Sequence, residues 1–181
     1  CDNCDGLGAL SKIDPDLVIA DENLSIINGA ISATGWANAN KKDSMAYMYF
    51  TALADYYRFD VNTPYKDLPK DIQNIILYGT GDTNIPMNYE RSYGSGKYSV
   101  PFEGVITNLK RIINRYSNVG DTVFDPFAGL FTVPYIAVKM GRYGIGTELN
   151  ADYFRDGVGY LKSTDEVTDQ LTLFDLMESE E

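Results

Sequence analysis

Apolar residues recur at helical spacing in MAYMYFTALADYYRF, where Met45, Met48, Tyr49, Ala52, Leu53 and Tyr56 form one stripe behind a capping Ser44. The stripe predicts a helix with an aromatic and methionine face turned to a core. A turn in TPYKDLPK leads to a second helix from about Pro69 to Tyr78, stopped by Gly79 and Gly81. EGVITNLKRIINRYS predicts a third, with Val105, Ile106, Leu109, Ile112 and Ile113 on one face. Between the last two, NIPMNYERSYGSGKYSVPFEG alternates about a Gly-Ser-Gly turn, predicting a β-hairpin with Gly94 to Gly96 at its tip. Upstream, SKIDPDLVIADENLSIINGAISATG holds short apolar pieces broken by Asp-Pro and Asn-Gly, as in loops and short extended strands.

The texture changes at Gly120. Strand TVFDPF, helix TVPYIAVKMG, strand YGIGTEL and helix NADYFRDGVGYLK alternate as βαβα, the local signature of a parallel sheet layered with helices. The expected fold is an α+β N-terminal module joined through the third helix to a small, truncated α/β unit. No internal repeat links the halves.

With 44% hydrophobic and 13% aromatic residues, the 181-residue chain has ample material for a core. Fifteen basic residues against 26 acidic ones give a net charge of -11, which disfavours a broad nonspecific grip on nucleic acid, so any DNA contact is expected to be local. The apolar runs are too short for a membrane span and no signal pattern opens the chain, so a cytoplasmic protein without membrane contact is the expectation. A start at Cys1 suggests a cut through something longer. Histidine is absent, which removes Ser-His-Asp and Cys-His nucleophile systems and all His-ligated metal sites. The two cysteines, Cys1 and Cys4 in CDNC, have the spacing of half a four-thiolate zinc site.

GSGKYS imitates the end of a phosphate loop but fails as one, because Tyr98 stands where a hydroxyl must reach magnesium and Arg91 where the first glycine must turn. No ATP site is expected. Lys97 is then a basic residue near a hairpin tip. Lys110, Arg111 and Arg115 either complement the end of their helix or form a small phosphate-contacting patch beside Tyr116.

GDTVFDPFAGLFTVPY holds the other loop of interest. A strand ending at Asp125 places Phe127 to Phe131 at the carboxyl edge of the sheet, where ligands of α/β folds bind, and Gly129 allows close backbone approach. Thr132 is expected to cap the following helix, with Pro134 in its first turn. The alternative is a strand-to-helix turn that only packs.

CDNCDGLG, DPDLVI, LSIINGAI, MYFTALADYYRFDVNTPYKDLP, IILYGTGD and PFEGVITNLKR closely resemble, in order, part of the bacterial excision-repair ATPase family UvrA. The resemblance covers residues 1–111 and implies the second Cys pair of a zinc module followed by an inserted α/β domain associated with DNA. It implies Cys1 and Cys4 as zinc ligands, in a site completed only by further ligands from elsewhere. The family's ATP-binding and signature sequences have no counterpart here. Arg91, Lys97, Lys110, Arg111 and Arg115 are the expected DNA contacts.

Residues 112–165 look like the C-terminal, cofactor-binding part of the permuted DNA adenine-N6 or cytosine-N4 methyltransferases, through D-P-F-x-G and the acidic residue of GTELN. That resemblance implies S-adenosylmethionine at Asp125, Phe127, Ala128, Gly129, Thr132 and Glu148, with Glu148 accepting from ribose hydroxyls. Two departures stand out. Phe131 replaces the last glycine of the family's F-x-G-x-G loop, and the Asp/Asn-Pro-Pro-Tyr/Phe motif that holds the target base is absent. No catalytic residue is therefore assigned, and methyl transfer would need a partner.

The acidic tail 166–181 contains QLTLFDL. Gln170, Leu171, Leu173 and Phe174 resemble the pentapeptide that partners of the bacterial sliding clamp insert into its groove; the alternative is a segment laid on the chain's own core. The leading expectation is a non-catalytic, DNA-associated module of UvrA type. A methyltransferase completed by a partner, or an inactive composite, are the alternatives.

Overall fold

A computed structural model describes residues 17–91 and 94–168. The expectations for Cys1, Cys4 and the tail motif Gln170, Leu171, Leu173 and Phe174 lie outside the described residues.

The first elements are loops held by isolated bridges, Ile19 to Ile31 and Ser25 to Pro64, as the broken apolar pieces predict. Helix α1 spans Met45–Tyr57, and the Ser44 hydroxyl caps it by accepting from the Tyr47 amide at 3.0 Å. A short 3-10 turn, Tyr65–Asp67, leads to α2, Lys70–Tyr78. Strands β1, Asn84–Arg91, and β2, Gly94–Pro101, form an antiparallel hairpin, followed by α3, Val105–Tyr116. Then come β3, Thr122–Asp125, α4, Thr132–Lys139, β4, Tyr143–Gly146, and α5, Ala151–Thr168. β3 and β4 pair in parallel with α4 as their crossover, so the fold is an α+β module carrying a methyltransferase-like α/β unit.

The buried face of α1 is rotated from the one the spacing predicts: Leu53 is buried and Met48, Tyr49 and Ala52 pack against the core as expected, but the centre of the face lies elsewhere. Ala46, Phe50, Leu53 and Ala54 are buried, whereas Met45 and Tyr56 are exposed. The helix is apolar nearly all round, so its period could not select a face; the ring of Phe50 did, packing beside Trp36 and Phe102 at centroid distances of 5.6 and 6.2 Å. On α3 the predicted face holds except for Ile112, which is exposed.

The hairpin is also longer than predicted. Gly94 pairs with Arg91 and Gly96 with Tyr89, so Gly94 opens β2 beside the tip, as expected, while Gly96 stands inside the strand. Ile85 and Met87 are buried, while Asn84, Pro86 and Asn88 face solvent. The hairpin base is tied down by Thr80, whose amide donates to the Phe102 carbonyl at 2.8 Å and whose hydroxyl accepts from the Phe102 amide at 2.9 Å.

Two glycines make that junction possible. Gly79 (φ 97°) and Gly104 (φ 82°) meet where α2 ends and α3 begins, and a Cβ on either would strike the other's backbone segment.

One buried cluster runs through both halves. Leu17, Ile26, Phe50, Ile76, Ile85 and Phe102 belong to it, and so do Ile113, Tyr135, Ile136 and Ala137. Residues 111 and 112 therefore mark no boundary in packing: α3 and α4 close the core of the N-terminal module.

Candidate functional site

The loop after β3 is built by a dense local set of hydrogen bonds. Asp125 is buried, and its Oδ1 accepts from the Phe127 amide at 3.0 Å in a tight turn. Its Oδ2 accepts from the Thr34 hydroxyl at 2.9 Å, joining residues 91 positions apart. The Ala128 amide donates to the Thr147 carbonyl at 2.9 Å, and the Thr147 hydroxyl to the Pro126 carbonyl at 2.7 Å. The loop is thus stitched to the segment that follows β4.

Glu148 completes the stitching. Its Oε2 accepts from the Gly129 amide at 2.9 Å and its Oε1 from the Asn150 amide at 2.8 Å. Gly129 needs its freedom here, at φ 54°. Asn150 in turn caps α5, accepting from the Asp152 and Tyr153 amides at 3.0 and 3.2 Å.

Thr132 does not cap α4. The position before the helix is Phe131, without a side-chain cap, and the Thr132 hydroxyl donates instead to the Leu17 carbonyl. A buried hydroxyl that donates to a carbonyl of the N-terminal module is satisfied there, which outweighs the cap.

Phe131 adopts φ 63°, a left-handed backbone that the family's glycine would reach without strain. Its ring is buried, and lies 5.6 Å from that of Phe154 in an edge-on arrangement. The glycines of β4 and α5 make room for this. A Cβ on Gly146 would sit 2.9 Å from the Phe131 ring, and one on Gly157 would overlap it.

Of the residues expected to hold S-adenosylmethionine, the structure brings Asp125, Ala128, Gly129, Thr132 and Glu148 to one sheet edge, while Phe127 projects outward, 79% exposed. In this arrangement the residues expected to hold S-adenosylmethionine serve contacts within the chain. Both oxygens of Glu148 already accept from the chain's own amides, the Gly129 amide is turned to Glu148, and an aromatic ring fills the space that a terminal glycine would leave open. No chemistry is routed through that group.

The expected DNA contacts fall in two places. Arg91 ends β1, and Lys97 is exposed on β2 opposite Asn88. GSGKYS is extended strand, not a phosphate loop. Lys110, Arg111 and Arg115 lie on α3, with Arg115 in its last turn, 5.9 Å from the Tyr116 ring. Arg111 is engaged: its Nε lies 2.9 Å from Glu103 Oε2, which also accepts from Asn108 at 3.0 Å. Burial pushes the Glu103 carboxyl up, and these hydrogen bonds with the Arg111 charge outweigh it, leaving the group below its ordinary value. Lys97 stands on the hairpin face opposite Tyr98, and Tyr98 is the side that meets Tyr49.

Sequence reasoning missed Thr34, Asn150 and Gly157. Asn150 could have been found as a cap before a helical run. Thr34 and Gly157 carry no local signal, since their roles exist only across the fold. Among the described residues, no cluster of three or more acidic side chains could hold a metal ion, and no helix is long and apolar enough to cross a membrane.

Two family models match the chain. UvrA DNA-binding domain covers residues 14–118, and DNA methylase covers 88–158, so the hairpin's second half and α3 fall within both. UvrABC system protein A of Clostridium perfringens is 43% identical over 111 residues, and that of Vibrio cholerae 46% over 112, each across 61% of this chain. The protein of Bradyrhizobium diazoefficiens is 45% identical over 115 residues. The chain spans only 12% of the first of these relatives' length and 11% of the other two. With residues 14–118, more than half of its length, matched continuously, the chain belongs to the UvrA DNA-binding domain family.

Proposed function

We propose that the chain is a non-catalytic, DNA-associated module that touches the phosphate backbone through the outer face of its hairpin and the cationic end of α3. The observation that carries this reading is the family match over residues 14–118, which includes both elements. The hairpin supports it geometrically. Between Asn84 and Asn88, paired with Lys97 to Pro101, its exposed face presents amides, a hydroxyl, prolines and the Lys97 ammonium, with no carboxylate. A two-stranded ribbon is one of the few elements a major groove admits, and Lys97 supplies the charge that orients it.

A chain of charge -11 makes few phosphate contacts, so binding is weak and its salt slope shallow. Titration of a fluorescent duplex at low and moderate salt tests the reading. Each of Lys97→Ala and Arg115→Ala is expected to lower the slope of log affinity against log salt by about 0.9. No binding at low salt, or slopes unchanged in both variants, would refute it.

A further inference from the structure

We infer that the loop Phe127 to Phe131 is a closed clasp that excludes an S-adenosyl cofactor and instead locks α5 onto the sheet edge, with Glu148 as its positioning residue. Glu148 grips the loop through the Gly129 amide at 2.9 Å and the entry to α5 through the Asn150 amide at 2.8 Å. One carboxylate thereby bridges the loop and the start of α5. The ring of Phe131 acts from the other side. It is buried against Gly157 of α5 and Gly146 of β4, and edge-on to Phe154, so the helix has a knob to seat on.

Chemistry and packing point the same way. A carboxylate has about four acceptor directions; two of those of Glu148 are taken by backbone N–H groups that also fix its orientation, so a ligand diol would meet it turned to the chain and half occupied. Phe131 holds a left-handed backbone at φ 63°, a cost that persists only where surrounding contacts over-determine it. Here those contacts are Gly146, Gly157 and Phe154. The glycine at 157, inside a helix where alanine would be favoured, is explained by the same ring.

Two measurements on the whole chain test this. Calorimetric titration of the unaltered protein with S-adenosylmethionine and S-adenosylhomocysteine is expected to give no saturable heat up to millimolar ligand. Amide exchange is expected to show Gly129 protected in the unaltered protein and faster by about tenfold in Glu148→Ala, one lost hydrogen bond corresponding to roughly that factor. Glu148→Gln, which keeps a single acceptor oxygen, is expected to fall between the two. Saturable binding by the unaltered protein would overturn the inference. So would a Gly129 amide that exchanges freely in the unaltered protein, a result that needs no variant to fold.

Discussion

Replacing Gly104 by alanine isolates the energetic weight of the junction that aims the hairpin. Gly104 has φ 82° and ψ 152°, a region that is in practice reserved for glycine, and its missing side chain lies against the backbone of Tyr78 and Gly79. Two costs add: about 1–3 kcal/mol for the backbone and about 1–3 kcal/mol for forcing a methyl group into filled space. Gly35 provides a matched control, because its φ is 83° and nothing lies within 4 Å of the position its Cβ would take. Gly35→Ala is expected to cost about 1–2 kcal/mol and Gly104→Ala about 1–3 kcal/mol more. Against the ~5–15 kcal/mol that stabilises a domain of ordinary size, the second loss is large. Urea unfolding followed by fluorescence of the single tryptophan, Trp36, 8% exposed in the aromatic cluster, reads both midpoints. Equal destabilisation by the two variants would refute the close-approach argument and leave only the backbone conformation. Gly79→Ala combined with Gly104→Ala should cost less than the sum, since both methyl groups push apart the same pair of segments.

Four further outcomes are expected. Phe102→Ala, which removes a fully buried ring that contacts Trp36, Tyr49 and Phe50, should cost about 3–5 kcal/mol by denaturant titration. Tyr65→Phe should stabilise by about 1 kcal/mol, because the buried Tyr65 hydroxyl has no hydrogen-bond partner among the described residues. Burial also raises the Tyr65 phenol, so its folded form keeps the proton longer than the unfolded one. Stability is intact below pH ~10 and lost above it, and Tyr65→Phe should flatten that alkaline slope in melts across pH. Glu103 is the opposite case: its folded value is lowered, so its contribution holds above pH ~4.3 and fades as pH falls further, and Glu103→Gln should weaken that acid dependence.

The alternation of elements after Gly120, the capping Ser44, the two middle helices and the hairpin were all legible, because each depends on local period and turn chemistry. What escaped depends on distance along the chain. The face of α1 was decided by Trp36 and Phe102, not by its own weakly amphipathic pattern. Thr132 reads as a cap until the Leu17 carbonyl is placed beside it. Asp125 and Glu148 were singled out for a cofactor, and the partners they have within the fold, Thr34, Gly129 and Asn150, carry no signal in the sequence. The replacement of a loop glycine by Phe131 was visible from the start. That the ring would turn inward against Gly146 and Gly157 could be known only once β4 and α5 were in position.

The buried cluster that unites Phe50 and Phe102 with Tyr135 and Ile136 has a thermodynamic consequence. Two modules with separate interiors would melt in two steps and could be cut apart between them. Here the same side chains are the interior of both, so calorimetry should find a van't Hoff enthalpy equal to the measured one, and severing the chain after Arg111 should leave neither piece folded. The sequence resembles two families, and a single melting transition is expected of it.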